Sequence, residues 1–279
     1  MRDGKRPLGF YLLAAFFGLY VLFLYGPTVT IAVLSFQGPN GGLTFPMNGW
    51  SFHWFANLFQ RQLVGDFGGS VRRSLALGAM VMVTTVVVSL AAGLAFRKRF
   101  RGDTAVFYLA VAGLVVPSIL VSLGIGLMFT ELGLDTAWYS SAFGAQLTWT
   151  LPFGLLIMFA VFSRFNPAYE EAARDLGATS WQALRHVVLP IIAPSLLGIA
   201  LFGFTLSYDE FARTLLTAGS DNTLPLEIYA MTTNITTPVL YALGTLTTAF
   251  SFVVIASCLA AVALIQRRRS AQSTRPDHG

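Results

Sequence analysis

Charge is what this 279-residue chain most lacks. Only 11% of its residues are Asp, Glu, Lys or Arg, while 55% are hydrophobic. A soluble domain carries roughly 25% charged residues. This deficit excludes an ordinary soluble enzyme, a disordered chain and a coiled coil. Cysteine is nearly absent too: Cys258 is the single one, so no intrachain disulfide can form. The three histidines, His53, His186 and His278, are scattered and have no metal-ligand spacing. Neither Lys5 nor Lys98 follows a G-x4-G frame, so there is no phosphate-binding P-loop. No H-E-x-x-H and no G-x-S-x-G is present. The chain is expected to perform no covalent chemistry and to need no cofactor.

What is present is apolar sequence in long uninterrupted runs. Charge-free stretches cover 7–60, 74–96, 104–130, 136–163, 186–208 and 228–266. A membrane-spanning helix needs about 20 predominantly apolar residues. All six runs qualify, which predicts an all-α polytopic membrane protein with six transmembrane helices in one domain, 1–279. The expected spans are 8–36, 74–96, 104–130, 142–163, 195–218 and 239–265. The first run splits at the turn signal Gln37-Gly38-Pro39-Asn40-Gly41-Gly42. After it, Ser51 is placed to cap a short interfacial helix carrying Trp50, Phe52, Trp54, Phe55, Leu58 and Phe59. The basic start Met1–Arg6 resembles a signal-peptide n-region, but the apolar stretch is too long and lacks a small-residue cleavage site, so a retained first span is expected.

Basic residues set the orientation. Arg2, Lys5, Arg6, Arg97, Lys98, Arg99, Arg101, Arg164, Arg174, Arg185, Arg267, Arg268, Arg269 and Arg275 fall on one side of a six-span chain, fourteen of the 18. The positive-inside rule makes that side, and both termini, cytoplasmic. The net charge of +5 is thus a membrane-orientation signal, and no nucleic-acid partner is implied. Pro117 and Pro152 interrupt the third and fourth spans and are candidate bends.

The cytoplasmic loop at 166–194 is more than a connector. Asn166-Pro167 opens a helix, and Glu170 and Glu171 sit in its early turns, where the dipole favours anions. Gly177 ends it, Ser180 is placed to cap a second short helix, and Pro190 closes that one. Ala173, Leu176, Trp181, Leu184, Val187 and Val188 form an apolar face on a segment too charged to enter lipid. Such a pair of helices suits either docking to another protein or lying on the membrane surface.

Glu171-Ala172-Ala173, three residues, Gly177, nine residues, then Val187-Val188-Leu189-Pro190 resembles the EAA motif, E-A-A-x3-G-x9-I-x-L-P, of binding-protein-dependent ABC importer permeases. Val187 in place of Ile is the one departure. The resemblance implies a type I ABC importer permease fold in the cell inner membrane. It also implies that Glu171, Ala172, Ala173, Gly177, Leu189 and Pro190 dock a separate ATPase. The implied partners are two ATP-binding subunits, a second permease subunit (paralogue or identical copy), an extracytoplasmic solute-binding protein and the lipid bilayer.

The fifth span carries a second informative stretch. Ser207-x-Asp209-Glu210-Phe211, followed by Thr223-Leu224-Pro225, is similar to the corresponding region of spermidine/putrescine permeases. That similarity implies a polyamine or similar cationic amine, with Tyr208, Asp209 and Glu210 on the substrate path. Related subfamilies carry opines, 4-aminobutyrate, thiamine or ferric ion, and an ion-coupled secondary transporter is a more distant alternative. Asp209 and Arg213, spaced i, i+4, are also placed to form a plain ion pair. Arg213 is the residue least expected in a cation path.

Overall fold

The computed structural model describes residues 7–58, 65–98, 100–234 and 237–273. Met1–Arg6, Arg61, Arg99, Arg275 and the side chains of Cys258 and Arg267–Arg269 lie outside the described residues, as does Phe59 of the aromatic set. The regular structure described is helical, without a named strand. Two compact units are formed, one from residues 1–67 and 228–251, the other from 68–227 and 252–279.

In the first unit, α1 (Leu8–Leu34) covers nearly all of the expected first span. Its side chains face outward along almost the whole length, with Phe23 79% exposed, as an apolar helix does when lipid is its solvent. The Gly/Pro turn that follows is built around Gln37, which is fully buried. Its amide nitrogen donates to the Gly42 carbonyl (3.2 Å), and its Oε1 accepts from the Asn48 N–H (2.7 Å). A short helix, α2 (His53–Asn57), follows. Ser51 Oγ accepts from the His53 N–H at 3.0 Å. Trp50 and Phe52 are exposed beside Phe36, while Trp54 and Leu58 are buried.

The second unit holds α3 (Phe67–Phe96), α4 (Asp103–Ala112), α5 (Ser118–Glu131), α6 (Phe143–Arg164), α7 (Ala168–Asp175), α8 (Ser180–Ala183) and α9 (Leu189–Tyr208). Single π turns, Trp138–Ala142 and Leu184–Val188, lead into α6 and α9. Two further helices, α10 (Leu224–Asn234) and α11 (Val239–Ser273), complete the chain and cross the boundary between units.

Among the described residues, five helices are long and apolar enough to cross a membrane: Leu8–Leu34, Phe67–Phe96, Trp138–Arg164, Ser180–Tyr208 and Val239–Ser257. The expected third span, 104–130, is instead two helices of 10 and 14 residues. The break has a local cause. Pro117 has no N–H, and it pushes Val116 out of the helical region. The chain tightens into i→i−3 bonds at Gly113, Leu114 and Val115, and α5 restarts from the Pro117 carbonyl.

Three other boundaries differ from expectation. α3 begins seven residues early and carries Arg72 and Arg73 within its first turns. The fifth helix stops at Tyr208 instead of continuing to 218. There, the Glu210 carboxylate and the Thr214 and Thr217 hydroxyls take the backbone into successive turns. α11 continues beyond 265 to Ser273, because the arginines that end a membrane run are good helix formers.

Met158, Val188, Ile192 and Ile199 form the core between α6 and α9, and Val86 and Leu90 of α3 pack against it. A polar seam runs beside it. Thr85 donates to Thr150 at 3.0 Å, and the Ser207 hydroxyl hydrogen-bonds the buried Gln146 amide oxygen.

Candidate functional site

The 166–194 loop folds as a helix, a tight turn and a helix. Gly177 makes the turn: its φ is +89°, a conformation that side-chain-bearing residues adopt only with strain. The Gly177 N–H donates to the Arg174 carbonyl at 2.8 Å and the Ala178 N–H to the Ala173 carbonyl at 3.0 Å, the paired bonds of a Schellman ending. The second helix is capped by Thr179, one residue before the expected Ser180. Thr179 Oγ1 accepts from the Gln182 N–H (3.3 Å), and the Gln182 side chain accepts from the Thr179 N–H (2.8 Å).

Pro190 does not close that helix. α8 passes through the Leu184–Val188 π turn straight into α9, with Pro190 in its first turn. The widened turn removes the clash between a proline ring and the carbonyl four residues back.

The expected apolar face divides in two. Val188 is buried, Val187 half-buried, and Leu184 packs on the Met158 core. Leu176 is 90% exposed and Trp181 64%. Glu171, Ala172 and Gly177 are exposed beside them, and Ala173 is half-buried. Leu189 is half-buried and Pro190 exposed at the root of α9. Glu170 turns the other way and pairs with Arg97.

At the far end of α9, Tyr208 is buried, its ring stacked 5.9 Å from that of Phe204. Asp209 follows at the helix terminus and is exposed. The anticipated Asp209–Arg213 pair is replaced by Glu210–Arg213. Glu210 Oε1 accepts from the Arg213 N–H at 2.8 Å, and Arg213 Nη1 lies 3.6 Å from Oε2. Both side chains are almost wholly buried.

Arg213 then reaches three other elements. Nη1 donates to Ser118 Oγ (2.6 Å) at the start of α5, and Nε to Thr148 Oγ1 (3.4 Å) on α6. The guanidinium carbon lies 4.5 Å from the centre of the Trp149 ring. Ser122 Oγ donates to the Arg213 carbonyl (3.1 Å) and accepts from the Leu216 N–H (3.0 Å). Arg213 therefore staples the 209–218 turns to the broken third span. Sequence reasoning does not find Ser118, Ser122, Thr148 or Trp149, because isolated polar residues in apolar helices have no local pattern.

These elements define a transport permease. The family model described as "Binding-protein-dependent transport system inner membrane component" matches residues 85–271, about two thirds of the chain. The chain belongs to that family: it is a permease component of an ABC importer, and not an enzyme. It is 28% identical over 238 residues to the spermidine/putrescine transport system permease protein PotC of Haemophilus influenzae, covering 85% of this chain and 91% of that one. The corresponding PotC of Escherichia coli K12 is 29% identical over 242 residues (86% and 89%). The E. coli K12 putrescine transport system permease protein PotI is 27% identical (80% and 81%). Among solved structures, a bacterial ABC transporter involved in import of the acidic polysaccharide alginate matches with a TM-score of 0.67 at 18% identity, covering 93% of this chain and 95% of that one. The MetNI methionine ABC transporter matches with a TM-score of 0.56 at 18% identity (73% and 95%).

Proposed function

We propose that this chain is a six-span permease with both termini cytoplasmic, forming one transmembrane domain that imports a polyamine or similar cationic amine. Five spans are the long helices, and α4 and α5 together make the sixth. Glu171, Ala172, Ala173, Gly177, Leu189 and Pro190 dock the ATPase. The assembly comprises two ATP-binding subunits, a second permease subunit and an extracytoplasmic binding protein. The observation that carries the docking role is the outward display of Leu176 and Trp181 around the Gly177 turn, apolar surface that a partner would cover.

Orientation is tested by labelling. In a Cys258→Ser background, single cysteines are placed at Asn40, Ala178 and Ser220. A membrane-impermeant thiol reagent added outside intact cells is expected to modify the Asn40 and Ser220 positions only. Modification at Ala178 would reverse the orientation.

The cationic substrate draws support from the names of the PotC and PotI relatives and from Asp209. A carboxylate at a helix C-terminus faces the negative end of the dipole, so its placement there does not serve stability. Asp209 meets the cation; on either side of it Tyr208 packs on Phe204 and Glu210 holds the Arg213 N–H. Opposite charges 4 Å apart attract by about 1 kcal/mol in water and about 4 kcal/mol at an effective dielectric of 20. Asp209→Asn is therefore expected to lower spermidine uptake by roughly fivefold or more, with unchanged membrane abundance. Normal uptake would remove Asp209 from the path.

A further inference from the structure

Glu170 and Glu171 are neighbours with opposite roles. Glu171 faces outward, whereas Glu170 leaves the coupling element and binds Arg97 at the end of α3. An exposed ion pair contributes little by itself. This one is largely covered, with 25% of the Arg97 side chain and 13% of Glu170 exposed. The Arg97 guanidinium also lies 5.1 Å from the Phe162 ring and 5.3 Å from the Phe165 ring, at the end of α6. One turn earlier, Gly93 lets α3 come close to α6: a Cβ there would sit 2.9 Å from Met158 and Phe162.

The opposite end of α3 is also pinned. Arg73 Nε donates to the Asn222 carbonyl at 2.7 Å, and Nη1 lies 3.9 Å from Asp221. Ser74 Oγ accepts from the Leu224 N–H at 2.8 Å. Between these clamps α3 is an unbroken helix without proline. From Arg73 to Arg97 it advances about 36 Å at 1.5 Å per residue, enough to cross the apolar slab.

We propose that α3 is a rod that carries movement of the coupling loop across the membrane to the 221–224 loop, with Arg97–Glu170 as its latch. Arg97 and Glu170 are thus positioning residues that act through α3. The proposal rests on the coupling role of the 166–194 loop, and the experiment separates the two.

Arg97→Glu, Glu170→Arg and the double exchange are made in a Cys258→Ser, Ser220→Cys chain, assembled with its ATPase and binding-protein partners in membrane vesicles. ATPase retention, ATP hydrolysis, spermidine uptake and the ATP-dependent change in thiol labelling at the Ser220 position are measured. Each single variant is expected to keep the ATPase bound and hydrolysing. Uptake should fall about five- to tenfold, and the labelling change should be lost. The double exchange should restore both. Singles that preserve the labelling change, singles that release the ATPase, or a double exchange that fails to restore coupling would each overturn the latch. If the parent chain itself binds no ATPase, the coupling reading fails, and the latch with it.

Discussion

Gly177→Asp is expected to abolish import while leaving the protein in the membrane. A Cβ at this position meets nothing within 4 Å, so the substitution does not fail through a clash. Part of the cost is conformational: a left-handed backbone carrying a Cβ is disfavoured by up to about 1–2 kcal/mol, less for Asp and Asn, and the rest is the charge that Asp alone adds. That is too little to unfold a chain anchored by several apolar helices, and enough to redirect an exposed turn. Leu176 and Trp181, on either side, then lose their common presentation, and a carboxylate is added between them. Co-purification of the ATPase should fall together with uptake. Gly177→Asn supplies the control, since Asn tolerates the left-handed region and adds no charge. It should retain most ATPase binding. Full uptake by the Asp variant would remove the docking role of this turn.

Arg213→Ala is expected to produce the largest loss of stability in the molecule. It leaves the Glu210 carboxylate buried without its counter-charge, and it releases Ser118 and Thr148 together with the Trp149 ring face. Breaking a buried pair from one side costs about 3–5 kcal/mol, whereas replacing both partners with apolar groups is often tolerated. Membrane abundance and the thermal aggregation midpoint in detergent should therefore drop sharply for Arg213→Ala. They should recover substantially in Arg213→Met with Glu210→Leu. Equal abundance of Arg213→Ala and the parent would show that the staple is dispensable.

The membrane helices were legible because lipid imposes a simple rule: a spanning segment must exclude charge over its whole length. That rule locates runs but not the events inside them. Pro117 was visible as a possible bend, yet whether a proline bends or ends a helix depends on who satisfies the freed backbone groups. Here the tight turns at Gly113–Val115 do so locally, and the span divides. The EAA-like loop was readable to the residue at Gly177, because turn chemistry there is local. The fate of Pro190 was not, since a π turn has no sequence signature of its own.

The acidic pair shows the limit most clearly. The i, i+4 spacing places Arg213 to pair with Asp209 only where the helix continues. It stops at Tyr208, and the rule then has no helix to act on. Glu210 takes the arginine, and Asp209 is left at the surface. α10 escaped notice for a related reason. Thr223-Leu224-Pro225 reads as a loop, but Pro225 stands in the first turn of a helix whose opening N–H is taken by Ser74, some 150 positions earlier.

The divided third span bears on how the protein enters its membrane. At 1.5 Å per residue α4 and α5 are about 15 and 21 Å long, and neither crosses a hydrocarbon core of about 30 Å alone. During synthesis they leave the ribosome before α6 and before the turns that hold Arg213. Arg213, whose side chain meets Ser118 at the start of α5, and Thr148, which holds the Arg213 Nε, are not yet synthesised. On the six-span reading, the pair enters the bilayer as a divided span that waits for its staple. Assembly of this region is a late event in biogenesis, and substitutions at Arg213 should expose it to quality-control proteolysis at that stage.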